Sequence, residues 1–292
     1  MRAAAILGPK ATLQDLRPFQ VPEVEIVTIP DLQAEAAFDA VLIFGGDGSV
    51  HRQLAGAVAS QAPVLCVPAG SGNDFAHALG LATVRQAHSA WRRFCSTADN
   101  VRSVDVAEIT CGPAAGSSQL PTQNSLYCCV AGAGLDSEVN RRANRLPPWL
   151  RGHGGYVLSF PAALLAFDAP EVTLELFDSD SRSRFHEPAT LVAFANAPSY
   201  GHGMRIAPRA RLDDGKLDVC FVRRTHKLRL LRLFPTVFSG GHLSLPEVEY
   251  AQCSALKIEG ARPLDIFADG EFIGCTPAEV RVRPHALRVI VP

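Results

Sequence analysis

Two glycine-rich turns near the start of the chain each carry an acid, and their composition suits phosphate chemistry. Gly45-Gly46-Asp47-Gly48-Ser49 follows the apolar run 40–44, and Gly70-Ser71-Gly72-Asn73-Asp74 follows the run 63–68. Glycine lets the backbone approach a bulky anion, and a helix N-terminus after each turn adds N–H donors and positive dipole. Asp47 and Asp74 would repel a polyphosphate unless a hard cation such as Mg²⁺ lies between them. A tight strand-to-helix connection with no ligand explains one such turn; two in succession point to a phosphate cradle. Ser49 and Ser71 can offer a hydroxyl to a phosphate oxygen or cap the helix behind them. Asn73 is open to an Asx-turn role, and Asp74, just before the helical pattern 75–79, fits an N-cap.

Two later turns also carry acids. Asp269-Gly270-Glu271 lies between the strand-like runs 264–268 and 272–273. Asp-Gly in that setting is a type I′ hairpin turn, and spacing alone favours this reading. Glu271 beside it is still the late carboxylate best framed to take a proton from a hydroxyl attacking phosphorus. Arg211-Leu212-Asp213-Asp214-Gly215-Lys216 is also turn-forming; it lacks the ligand spacing of an EF-hand, and by itself predicts no metal site.

The elements that must position these residues are of two kinds. Residues 3–7, 24–29, 40–44 and 64–67 read as short buried strands, with helical patterns at 50–58 and 75–79. Strands alternating with helices predict a parallel α/β sheet whose ligand sits beyond the carboxyl ends of the strands. After residue 104 short strands dominate, at 104–110, 125–131, 172–177, 190–195, 216–222, 255–259, 264–268 and 279–282. Helices are predicted only at 135–143, 157–167 and 227–238. The second half is therefore expected to be a mainly β sandwich or barrel. The helical segment 227–238 sets Leu228, Leu231, Phe234, Val237 and Phe238 among Lys227, Arg229 and Arg232. That pattern suits a membrane interface, but an ordinary core-facing helix has it too, and the core reading is favoured. Arg141, Arg142, Arg145 and Arg151 surround Pro147-Pro148-Trp149-Leu150, which also suits an anionic lipid surface.

Composition narrows the classes. The 28 basic and 29 acidic residues leave no global field for nucleic acid. The eight cysteines form no Cys-x-x-Cys pair or zinc-like cluster and read as reduced, mostly buried thiols. No apolar stretch is long enough for a membrane span, and the N-terminus lacks signal-peptide character, so a soluble cytosolic protein is expected.

Five blocks together resemble the bacterial lipid kinases of the diacylglycerol kinase and sphingosine kinase superfamily. They are Gly45–Ser49, PAGSGNDFAHAL at 68–79, GAGLD at 132–136, NAPSYGHGMRIAPRARLDDGKLDV at 196–219, and Asp269–Glu271. The glycine turn alone would also fit NAD kinases. The resemblance implies an α/β nucleotide-binding domain of NAD-kinase-like fold over residues 1–104, joined by 286–292 if the final strand returns to it. It implies a β-sandwich lipid-binding domain over 105–285. Gly45, Gly46, Asp47, Gly48, Ser49, Val50 and His51 would wrap the ATP phosphates, with Gly70, Ser71, Asn73 and, more loosely aligned, Thr28 at the nucleotide. Glu271 matches the general base, and Asp47 and Asp74 would place a catalytic Mg²⁺ through water. A structural Mg²⁺ would be held by the Asp214 carboxylate and the carbonyls of Arg211 and Lys216. The chain departs from the family pattern at Gly8, Ser49, His51-Arg52 and His77. The resulting expectation is a peripherally membrane-associated, ATP-dependent lipid kinase using Mg²⁺, with a homodimer open to it. A kinase of a soluble substrate and a non-catalytic lipid-binding homologue are the alternatives.

Overall fold

Strands β1 (Arg2–Leu7), β3 (Ala40–Gly45) and β4 (Val64–Pro68) are almost wholly buried along their apolar runs, as strands covered on both faces must be. Together with β2 (Glu25–Thr28) they pair in parallel: β1 with β2 and β3, and β3 with β4. The structure, a computed structural model, describes residues 1–33, 37–112, 123–147, 155–179, 181–201 and 203–292. The chain divides into two compact units, Met1–Val106 with Pro284–Pro292, and Ala107–Arg283.

In the first unit the sheet is completed by the end of the last strand of the chain, where Val289 pairs in parallel with Val64. Asn100 fastens that returning segment: its Nδ2 donates to Val291 O at 2.6 Å, and Val291 N donates to Asn100 O at 3.0 Å. The spatial order of the first four strands is β2-β1-β3-β4, so the direction of building reverses between β1 and β3. Open α/β sheets bind ligands at such a reversal, beyond the carboxyl ends of the strands. Helices α1 (Leu13–Leu16), α2 (Asp47–Ser60), α3 (Asp74–Ala78) and α4 (Val84–Thr97) complete the unit. α4 has no counterpart in the sequence reading; it buries Ala87, Ala90, Trp91 and Phe94, and the Trp91 indole N–H bonds to Phe19 O at 2.7 Å.

The second unit is a β-sandwich. Strands β5 (Val101–Cys111) and β6 (Gln123–Tyr127) pair antiparallel. There follow β7 (Val130–Gly134), β8 (Glu171–Asp178), β9 (Ser181–Ala195), β10 (Leu217–Arg223), β11 (Val248–Cys253), β12 (Ala255–Gly260), β13 (Asp265–Ala268), β14 (Glu271–Cys275) and β15 (Ala278–Ile290). One sheet runs β9-β8-β12-β15-β5-β6 and the other β14-β13-β7-β9-β10-β11. β9 belongs to both: residues up to Pro188 pair with β8, and residues from Ala189 pair with β7 and β10. Leu174, Leu176 and Ile258 from one sheet pack with Phe194, Val219 and Ile266 from the other to form the core.

Several expectations need correction. Residues 125–131 form two strands with a break at Cys128-Cys129, because the Asp269 carboxylate takes the N–H groups of Cys128, Cys129 and Val130. The segment 227–238 is an α-helix only over Lys227–Leu233 and continues as a 3-10 helix, Phe234–Phe238. Pro235 has no N–H and its ring crowds the carbonyl one turn back, so the α-helix ends there. The expected strand 190–195 extends back to Ser181 through a polar stretch. The linker between β5 and β6, and Pro148, Trp149, Leu150 and Arg151 of the basic segment, fall outside the described residues. None of the eight cysteines is in a disulfide; Cys95 and Cys275 are half-buried and the rest are buried. No helix among the described residues is long and apolar enough to cross a membrane.

Candidate active site

The two glycine turns leave the carboxyl ends of neighbouring strands, with Gly45 opposite Pro68 in register. They touch backbone to backbone. A Cβ on Gly46 would lie 2.4 Å from Gly72 O, and one on Gly70 would lie 2.4 Å from the Gly46 Cα. The close approach, not a positive φ, is what requires glycine here. Beside them Gly8 N donates to Phe44 O at 2.7 Å, bringing the end of β1 to the same edge. Thr28 ends β2, exposed, on that same edge but with β1 between it and Gly45.

Asp47 links the turns chemically. Its Oδ2 accepts from Asp74 N at 3.1 Å and its Oδ1 from Phe75 N at 3.0 Å, so a residue from the first turn caps the helix of the second. This corrects the reading of Asp74 as N-cap: Asn73 holds that position, and Asp74 is the first helical residue, only 3% exposed. Asn73 shapes its loop, as an Asx residue does, by accepting from Gly70 N at 3.1 Å and donating to Gly70 O at 3.2 Å. The serines do not cap either. Gly46 is the N-cap of α2, buried Ser49 lies in its first turn against Gly8 and Gly45, and Ser71 is exposed. Val50 turns into the core, and the N–H groups of Ser49 and Val50 both close on Gly46 O. Gly48 and half-buried His51 lie in the first turn and a half of α2.

In the second unit Asp269 and Gly270 form a two-residue turn with φ of 50° and 87°, the left-handed pair of a type I′ hairpin, joining β13 to β14. Glu271 opens β14 and is exposed to solvent. The hairpin is held by Asp269 and by Asn144, whose Nδ2 donates to Gly270 O at 3.2 Å. Asn144 ends helix α5 (Leu135–Asn144), which begins within GAGLD and spans about 15 Å. Both glycines of that block are explained locally. Gly132 makes room for the Asp136 carboxylate, and Gly134 (φ 95°) lies where a Cβ would be 2.7 Å from Thr190 O. Buried Asp136 accepts from the Tyr200 hydroxyl at 2.7 Å, so GAGLD meets the NAPSY block directly. Asp136 and Tyr200 lie 64 positions apart, so their contact is set by the fold and not by local sequence.

Leu135, at the other end of α5, lines an apolar cavity with about 740 Å³ of empty space including its open mouth. Phe160, Met204, Leu230, Phe234 and Val237 form much of the remaining wall. Phe160, on the helix Gly155–Ala166, stacks on Phe234 with ring centres 3.9 Å apart. The segment 227–238 is core-facing along one face, as favoured above: Leu230 and Phe234 pack against the cluster of Leu135, Val139, Phe160, Ala163 and Leu164. It contains no fully buried residue; one face lines the cavity, while Leu228 (59%), Leu231 (43%) and Phe238 (40%) are exposed. Arg141 is ion-paired with Asp265 and Glu138, and Arg142 with Glu138.

The acidic turn before β10 places Asp214 Oδ1 at 3.1 Å from Lys216 N, with Gly215 at φ 69° closing the loop. Arg211 pairs with Asp213, and the Lys216 ammonium with Asp178 at 2.7 Å. Asp218, two residues on and fully buried, is raised above the usual carboxylate range by that burial, and Tyr250 donates to it at 2.8 Å. A carboxylate and carbonyls gathered in one short loop are hard oxygen donors, the set that Mg²⁺ or Ca²⁺ takes.

An α/β unit with two glycine turns at its strand ends, and a β-sandwich holding an apolar cavity, are the parts of a lipid kinase. Comparison with known proteins places the chain among them. Residues 19–109 match the diacylglycerol kinase catalytic domain, and residues 129–291 match the YegS C-terminal NAD kinase beta sandwich-like domain. A diacylglycerol kinase of Mycobacterium tuberculosis is 34% identical over 257 residues, covering 87% of this chain and 77% of that protein. A solved diacylglycerol kinase from Bacillus anthracis covers all of this chain and 96% of its own, with a TM-score of 0.66 at 17% identity. An NAD kinase from Archaeoglobus fulgidus in complex with ATP covers 99% and 93%, with a TM-score of 0.54 at 14% identity, a likeness of fold. The chain belongs to the diacylglycerol kinase family of bacterial lipid kinases.

Two predictions follow from the packed turns. Gly46→Ala forces a Cβ onto the Gly72 carbonyl and should lower the unfolding free energy by about 1–3 kcal/mol, read by denaturant titration. Asp47→Ala leaves the N-terminus of α3 uncapped and should cost about 1 kcal/mol, whereas Asp47→Asn, which keeps an acceptor, should cost less. Equal stability of the Ala variant and the parent would contradict the capping role.

Proposed function

We propose that the protein transfers the γ-phosphoryl group of ATP to the hydroxyl of a lipid such as diacylglycerol, working at a membrane surface. The observation that carries this reading is the apolar cavity in the β-sandwich unit. Each methylene buried there contributes about 0.8 kcal/mol, so such a wall favours acyl chains. A soluble dinucleotide acceptor, as for an NAD kinase, calls instead for a polar cleft.

In this reading Met1–Val106 with Pro284–Pro292 serves the nucleotide and Ala107–Arg283 serves the lipid. Gly45, Gly46, Gly48, Ser49, Gly70, Ser71 and Asn73 offer the ATP phosphates a close-fitting backbone, and the amino ends of α2 and α3 add positive dipole. Thr28 and His51 complete the nucleotide set, and Val50, packed into the core, backs the first glycine turn rather than touching the phosphates. Glu271, fixed at the head of β14 by the Asp269 turn, accepts the proton of the lipid hydroxyl as that oxygen bonds to the γ-phosphorus and the bond to ADP breaks. Both oxygens of Asp47 already accept N–H bonds, so Asp47 and Asp74 fit a Mg²⁺ site through bridging water rather than by direct contact. When bound there, Mg²⁺ would offset the charge on the phosphate oxygens. Asp214, with the carbonyls of Arg211 and Lys216, fits a second, structural cation.

The exposed side chains Leu228, Leu231 and Phe238 support membrane contact. They share a helical segment with residues that line the cavity, and Arg232 stands among them, a pairing that suits an anionic bilayer; Lys227 and Arg229, on the same helix, bond to Leu165 O and Glu247. A lipid could then enter without crossing water.

Glu271→Gln should reduce lipid phosphorylation by at least about 100-fold without loss of stability, measured with radiolabelled ATP against a lipid panel in mixed micelles. Undiminished transfer would remove Glu271 as the base, and transfer to NAD in preference to any lipid would overturn the acceptor class. Replacing Leu228, Leu231 and Phe238 together by Ser should weaken co-sedimentation with phosphatidylglycerol vesicles while leaving turnover of a short-chain, micelle-free lipid in place. Unchanged vesicle binding would contradict the docking surface.

A further inference from the structure

The break between β6 and β7 gathers ligand-type side chains that the reaction does not use. Along a strand, neighbouring side chains point to opposite faces. At Cys128-Cys129, where neither strand continues, both thiols turn instead toward one carboxylate. Cys128 Sγ, Cys129 Sγ and a carboxylate oxygen of Asp269 all lie within 4.8 Å of one another, and Cys128 Sγ is 3.5 Å from Asp269 Oδ2. Both thiols are buried and Asp269 is half-buried. The backbone that carries the thiols is fixed from two sides. Asp269 takes its N–H groups, while Asn196 donates through Nδ2 to Cys128 O at 3.0 Å and through its own N–H to Cys129 O at 2.8 Å. Three backbone N–H groups already hold the Asp269 turn, so the hairpin needs neither thiol for its fastening.

We propose that Cys128, Cys129 and Asp269 form a binding site for a thiophilic divalent cation of the zinc class. Tetrahedral zinc sites, with metal–sulfur distances of about 2.3 Å and metal–oxygen distances of about 2.1 Å, set their ligand atoms about 3.6–3.8 Å apart. A shift of about 1 Å at most closes the present set to that spacing. Each thiol releases its proton to solvent as its sulfur bonds to the ion, and water takes the fourth position. Two thiolates and a carboxylate leave the centre with one net negative charge, which the N–H groups of Cys128, Cys129 and Val130 offset. Sulfur ligands favour Zn²⁺ or Cd²⁺ over Mg²⁺, which separates this site from any oxygen-lined one. An ion here ties the β6–β7 break to the turn two residues before Glu271. The proposal rests on the geometry of the cluster alone and stands apart from the reaction proposed above.

The test uses reduced, full-length protein stripped of metal by a chelator, then equilibrated with CdCl₂ or ZnCl₂ long enough for entry to buried thiols. One ion per chain should be retained through gel filtration, with thiolate-to-cadmium charge-transfer absorption that about a thousand-fold excess of MgCl₂ leaves in place. Cys128→Ser and Cys129→Ser should each weaken binding by more than the roughly 10–100-fold that loss of an outer-shell partner costs. Cys95→Ser, which alters a half-buried thiol of the other unit, should leave binding unchanged. Circular dichroism of each variant confirms its fold, and the parent protein's own titration decides the matter if a serine variant fails to fold. No charge-transfer band in the parent, or a band that survives both serine variants at Cys128 and Cys129, overturns the proposal. A band that Cys95→Ser removes equally well places the ion elsewhere and overturns it too.

Discussion

The Asp47 carboxylate reaches from one glycine turn to the amino end of the helix that follows the other, and much of the α/β unit depends on that contact. Parallel strands bring the turns side by side, but pairing alone would not set the direction of α3. With Asp47 accepting from Asp74 and Phe75, the first turns of two helices are held at one edge of the sheet. The glycines then do something simple: they let two backbones touch. A carboxylate spent in this way has less to offer a metal directly, which is why a water-bridged role suits it better than inner-sphere ligation.

In the sandwich unit the comparable device is α5. Its first residue is part of the cavity wall and its last side chain holds the Gly270 carbonyl, so one rigid helix fixes both the apolar wall and the hairpin presenting Glu271. Asp269 adds a second hold by taking three successive backbone N–H groups at the break between β6 and β7. In the proposed reading, proton abstraction needs a carboxylate of fixed position, and the hairpin pinned by Asp269 and Asn144 supplies one in Glu271. The cavity differs from the hairpin in kind. It is built from side chains of strands β9, β10 and β11 and of several helical segments, one of which, 227–238, also presents apolar side chains outward.

Much of this was legible in the sequence for identifiable reasons. Buried parallel strands read as continuous apolar runs, so β1, β3 and β4 stood out. Asp269-Gly270 announced its hairpin because few other residue pairs accept two positive φ angles in succession. The five blocks carried the family. What escaped detection depends on contacts distant along the chain. The cap on α3 comes from a residue 27 positions earlier, and a local reading assigns that cap to Asp74 instead. The first half of β9 is polar because one sheet face there meets solvent, and α4 hides its core stripe among arginines and small residues. Pro235 marked the end of an α-helix that apolar spacing alone would have carried through.

The central claim is that the apolar cavity of the sandwich unit receives the acceptor lipid. Photocrosslinking with a diacylglycerol bearing a diazirine on its acyl chain, followed by peptide mass spectrometry, tests it most directly. The account predicts adducts on the cavity wall, at Phe160, Leu230, Phe234 or Val237, that are competed by unlabelled lipid. Competed adducts confined to residues outside that wall would contradict it.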